Sequence, residues 1–159
     1  MAKCGLPFSD AALVLEWHVL GMFVPSFFTG HVIKRVGALP VMAVGVLLNL
    51  VCIAVALSGV ELMQFLVALF TLGVGWNFLF VGGSTLLMRA YRPEERIKTQ
   101  GAMDFCVFTT MAVTSFASGA LITTRGWEWL NYGSLPVVLL IAIALLWLAA
   151  KQRRVVVTA

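Results

Sequence analysis

Apolar and polar positions fall in long blocks along this chain. Five apolar stretches, approximately Ala11–Gly30, Ala38–Leu57, Leu62–Met88, Ala102–Thr123 and Asn131–Ala150, are separated by short polar connections. A helix needs about 20 predominantly apolar residues to cross the hydrocarbon core, and each stretch reaches that length. Inside lipid the backbone has no water to bond, so such segments are helical. The pattern predicts an all-α polytopic membrane protein with five transmembrane helices. A short tail over residues 1–10 would precede a membrane domain over 11–150, and a basic tail would occupy 151–159.

Composition agrees. Hydrophobic residues make up 61% of the chain and charged ones 11%, against about 25% charged in a soluble domain. A soluble fold would lack the polar surface to cover its core. The first stretch does not read as a cleaved signal, because it follows Asp10, contains Glu16 and His18, and meets no small-residue cleavage site. Cys4, Cys52 and Cys106 have no metal-ligand spacing and read as small apolar fillers.

The net charge of +4 raises nucleic acid as a partner, but the bases are spread over the connections rather than gathered on one soluble face. Their distribution fits the positive-inside rule instead. Of eleven Lys and Arg, nine (Lys34, Arg35, Arg89, Arg92, Arg96, Lys98, Lys151, Arg153 and Arg154) fall on one side. Only Lys3 and Arg125 fall on the other. The expected orientation is N-terminus outside and C-terminus cytoplasmic, with Trp127 and Trp129 at the outer interface.

The stretches differ in polarity. Ala38–Leu57 carries Asn49 as its one strongly polar residue and Leu135–Ala150 carries none, so both read as lipid-facing. Leu62–Met88 holds Gln64, Thr71, Asn77, Ser84 and Thr85, with Gly73, Gly75, Gly82 and Gly83. Ala102–Thr123 holds Asp104, Thr109, Thr110, Thr114, Ser115, Ser118 and Gly119. These two are expected to form an interior pair. Thr110, Thr114 and Ser118 recur at four-residue spacing, which suits close helix packing. The glycines suit either close packing or a hinge, and Pro25 should kink the first helix.

The connection Gly30-His31-Val32-Ile33-Lys34-Arg35-Val36-Gly37 resembles the loop motif of the major facilitator superfamily of secondary transporters. In this reading Gly30 lets a helix end close against a neighbour, Gly37 gives a tight entry to the next helix, and Lys34 and Arg35 anchor the cytoplasmic face. Lys34 stands where the family usually has an aspartate, which favours the weaker second-half copy of the motif. The segment from Tyr91 to Gly101 is similar to the proline-acid-arginine-glycine linker of such transporters, with Pro93 pre-setting a helix start. The resemblance implies helices eight to twelve of a twelve-helix transporter. The first half and the seventh helix fall outside it, leaving a truncated or split C-terminal portion inactive alone.

Candidate solute or proton positions are Asn77, Asp104, Glu16 and His18, each with a structural alternative. Asn77 could make an interhelical hydrogen bond. Asp104 could sit at a helix N-terminus near water. Glu16 could lie at headgroup level, and His18 could be packed rather than paired with it. No cofactor, metal site or catalytic constellation is expected, so the chain does not read as an enzyme. The expected partners are the bilayer, an unknown small solute and either the missing transporter half or a second copy, with no nucleic acid. The expected location is a bacterial plasma membrane. The other reading is a free-standing five-helix scaffold subunit.

Overall fold

The computed structural model describes residues 7–157, and side chains through Lys151. Among the described residues, six α-helices make up five membrane-length spans. Helices α1 (Phe8–Phe23) and α2 (Ser26–Val36) form the first span, broken between them at Val24-Pro25. Helices α3 (Ala38–Ser58), α4 (Leu62–Leu87), α5 (Arg96–Thr124) and α6 (Trp127–Val157) follow. Pro25 has no N–H, so the carbonyl four residues back loses its helical partner and the chain must turn there. The helix restarts when the Phe28 and Thr29 amides donate to the Pro25 carbonyl at 2.9 and 2.8 Å.

Three boundaries differ from the sequence reading. The Gly30–Gly37 motif is not a loop, because α2 continues to Val36 and only Gly37 separates it from α3. Gly37 has φ +92°, a conformation glycine adopts without a Cβ clash. A Cβ on Gly30 would meet nothing within 4 Å, so Gly30 mediates no close helix approach within this chain. Helix α5 begins at Arg96, after a 3-10 turn at Pro93–Glu95, rather than near Ala102. Helix α6 extends at both ends of its expected range, so the expected tail over 151–159 is helical through Val157. Residues 1–6 of the expected N-terminal tail lie outside the described residues, as do 158–159.

The centre of the fold is α4, with α1 and α2 on one side and α3 on the other. On α3 the buried positions Ala38, Val41, Gly45, Asn49, Cys52 and Ala56 recur every three or four residues, giving one continuous seam. Gly45 and Gly75 face each other there: a Cβ on either would come within 3.0 Å of the other's carbonyl oxygen. Small residues at that point bring the two backbones together, as van der Waals packing in membranes requires. The α1–α4 contact uses the same device. A Cβ on Gly21 would sit 2.8 Å from the Phe70 carbonyl oxygen, and one on Gly73 2.5 Å from that of His18.

The expected interior pair is therefore only half present. Helix α4 buries Phe65, Ala68, Gly73, Gly75, Asn77 and Gly82, whereas no α5 residue is buried. Helix α3, expected to face lipid, supplies the second buried seam, because Gly45 lets it approach α4 closely; its Asn49 turns its amide onto its own helix at the Gly45 carbonyl, 3.1 Å away. Two hydroxyls of α5 are satisfied the same way: Thr114 donates to the Thr110 carbonyl at 2.8 Å and Ser118 to that of Ser115 at 2.9 Å. Local bonding of this kind lets serine and threonine sit in an apolar environment without a partner helix.

Trp127 docks the start of α6. Its indole Nε1–H donates to the Ala56 carbonyl at 2.9 Å, and its ring meets Phe65 edge-on at 5.2 Å. Trp129 stays exposed, with the Arg125 guanidinium 5.8 Å from its ring centre.

Candidate functional site

Asn77 is 1% exposed and sits midway along α4, facing the proline break in the first span. Its Nδ2 donates to the Met22 carbonyl at 2.7 Å and to the Ser26 hydroxyl. Its Oδ1 accepts from the Thr29 hydroxyl at 2.7 Å. The same hydroxyl lies 2.8 Å from the Pro25 carbonyl, so its one proton is shared between two acceptors. Met22 stands at the end of α1, and Ser26 and Thr29 begin α2. One amide thus bridges both sides of the break. Each donor hydrogen of Asn77 is engaged, so in this conformation the side chain clamps helices together and a solute does not reach it.

Beside this cluster a cavity of about 270 Å³ opens between α2 and α4, lined by Val24, Pro25, Phe28, Thr29, Val32 and Phe78. Its wall is apolar throughout, since the Thr29 hydroxyl is turned to Asn77 and the Pro25 carbonyl. A second cavity, of about 290 Å³, lies where the α3–α4 and α5–α6 connections meet, with Gly59, Arg125, Trp127 and Glu128 on its wall.

The other candidates do not join the cluster. The His18 ring Nδ1 is 2.7 Å from the Leu69 carbonyl, which can only accept, so Nδ1 carries the proton. Glu16 is exposed. A two-residue step turns a helix by about 200°, so Glu16 and His18 point away from one another and form no proton-carrying pair. Asp104 is exposed on α5. With α5 starting at Arg96 it lies eight residues in, about 12 Å along the axis, beyond the first turn where the helix dipole would stabilise it. Lys34 and Arg35 are exposed in the last turn of α2, where positive charge complements the dipole. Gly83 and Gly119 meet nothing within 4 Å, and Thr110 and Thr114 are exposed. Among the described residues no three His, Cys, Asp or Glu side chains converge as a metal site.

Ser26 and Thr29 were not singled out in the sequence. The signal was there: two hydroxyl residues three apart, directly after an intramembrane proline, supply polar groups to a helix whose backbone bonding is interrupted.

The comparisons with known proteins agree with the helical architecture. The chain is 43% identical over 146 residues to the riboflavin transporter RfnT of Brucella anthropi, covering 92% of this chain and 37% of that protein. It is 28% identical over 149 residues to the uncharacterized MFS-type transporter YddS of Bacillus subtilis, covering 92% of this chain and 34% of that one. A third relative, YdeG of the same organism, is 30% identical over 124 residues, covering 77% of this chain and 29% of its own length. The chain thus spans about a third of the length of the curated relatives it matches. No solved structure matches it. The family model for the Major Facilitator Superfamily covers residues 2–158, almost every residue of the five-span architecture, and the chain belongs to that superfamily of transporters.

Proposed function

We propose that the chain forms helices eight to twelve of a secondary active transporter, with the C-terminus cytoplasmic, and that its solute is riboflavin or a related flavin. The observation that carries this reading is the 43% identity to a riboflavin transporter over 92% of the chain and only 37% of that relative. Transporters of this architecture bind solute between two repeat halves, so a third of the length supplies part of one wall. The open face of α5 supports the same view: Thr110 and Gly119 are exposed, a surface that a further set of helices would cover.

The test is a chimera in which this chain replaces the matching third of the Brucella anthropi riboflavin transporter, expressed in a bacterium that requires external riboflavin and lacks an importer. Saturable riboflavin uptake by the chimera, with none by the 159 residues alone, is expected. A membrane-inserted chimera without riboflavin uptake would overturn the flavin assignment. The exposed α5 face also fits a free-standing scaffold subunit. A stable, monodisperse oligomer of the chain in detergent, with no uptake by the chimera, would favour that reading.

A further inference from the structure

A groove runs between α3 and α6 on the side of the molecule away from the Asn77 cluster. Its volume is about 440 Å³, and Leu39, Ala43 and Leu50 of α3 face Ala142, Leu145 and Ala149 of α6 across it. Its wall is hydrocarbon, and alanines on both helices keep it open. From Leu39 to Leu50 is eleven residues, which is about 16 Å of helix or roughly half the 30 Å hydrocarbon core. The groove therefore belongs to one leaflet.

The leaflet is the one at the basic end. The two helices run antiparallel, so the start of α3 lies beside the late part of α6. Lys34 and Arg35 are exposed in the last turn of α2, only Gly37 away from the start of α3. Lys151 is exposed just beyond Ala149, with its ammonium 5.3 Å from the ring centre of Trp147. An aromatic ring beside a lysine at the end of a membrane-length apolar segment is a common interfacial anchor. Acyl-chain-sized apolar space in one leaflet thus lies at the membrane end where α2 and α6 carry exposed cations. Basic sites between transmembrane helices select anionic headgroups.

We propose that the α3–α6 groove is a binding site for an anionic phospholipid. One acyl chain lies along Ala43 and Ala142, and the phosphate meets Lys34, Arg35 and Lys151. The apolar wall alone would accept any lipid, and the bases alone would attract any anionic lipid without holding it. The two together hold one class of lipid at one place.

The experiment reconstitutes the chain in phosphatidylcholine vesicles containing a few per cent of spin-labelled phosphatidylglycerol or spin-labelled phosphatidylcholine. The motionally restricted fraction is read by electron spin resonance. The phosphatidylglycerol probe should be favoured by at least about fivefold, the worth of a single base near a membrane surface. Two sets of substitutions separate the contributions. Lys34→Gln with Arg35→Gln and Lys151→Gln should remove most of the preference, although six bases remain on that side. Ala142→Phe with Ala149→Phe fills the groove and leaves the charges in place, and it should also abolish most of the preference. Ala43→Leu provides a milder filling should the double variant lose helicity by circular dichroism. Equal restriction of both probes by the unaltered chain would overturn the proposal. So would a preference that survives filling of the groove, since attraction to the surface charge would then suffice.

Discussion

The amide of Asn77 meets the carbonyl of Met22 at 2.7 Å, joining the middle of α4 to the last turn of α1 just before the helix breaks at Pro25. The break and the clamp are parts of one arrangement. The break at Val24-Pro25 leaves the Met22 carbonyl without a donor from its own helix, which would be costly in lipid, and a side chain from the neighbouring helix occupies it.

Replacing Asn77 should therefore act on stability. Asn77→Ala removes three hydrogen bonds and should cost about 2 kcal/mol, since interhelical bonds in membranes average roughly 0.6 and reach roughly 1.7 kcal/mol. Asn77→Asp should be worse, because it sets an oxygen against the Met22 carbonyl. Helix loss on titration with sodium dodecyl sulfate, followed by circular dichroism, measures both. Unchanged midpoints for the two variants would remove the clamp.

The glycines of α4 should separate into two kinds. Gly73→Ala would place a Cβ 2.5 Å from the His18 carbonyl oxygen, so the backbones must part; overpacking of this kind costs about 1–3 kcal/mol. Gly83→Ala meets open space and should stabilise the isolated chain by up to about 1 kcal/mol through helix propensity. The same denaturant titration ranks them, and equal effects would contradict the α1–α4 contact.

Trp127→Phe should cost about 1 kcal/mol, because the ring still packs on Phe65 while the Ala56 carbonyl loses its donor. Its effect should appear as earlier detachment of α6. Faster cleavage by a protease at the Arg125–Gly126 connection would report it, and a cleavage rate equal to that of the unaltered chain would count against the docking role.

The five spans were legible because length and apolarity alone determine membrane crossing. The end of the first span was misread for a physical reason. Gly30, His31, Lys34 and Arg35 have the polarity of a loop, yet Thr29 and Ile33 repeat at one helical turn and are buried, so the helix continues beneath them. Polarity also misplaced α5. Its hydroxyls suggested an interior helix, but Thr114 and Ser118 satisfy themselves on their own backbone and demand no neighbour. Asn77 stood out as the one asparagine of α4. Its partners Met22, Ser26 and Thr29 lie 48 to 55 residues away, and no local pattern announces a contact of that range.

The central claim is that these helices work only as part of a larger transporter, and flux through the isolated chain tests it most directly. The 159 residues are reconstituted in liposomes, their helicity is verified by circular dichroism, and uptake of riboflavin and a panel of small solutes is followed under an imposed proton gradient. The account predicts a helical, inserted protein with no saturable flux, because under the proposed reading the chain supplies only part of one wall of a solute cavity. Saturable flux through the inserted chain would contradict it and make the chain a small transporter in its own right.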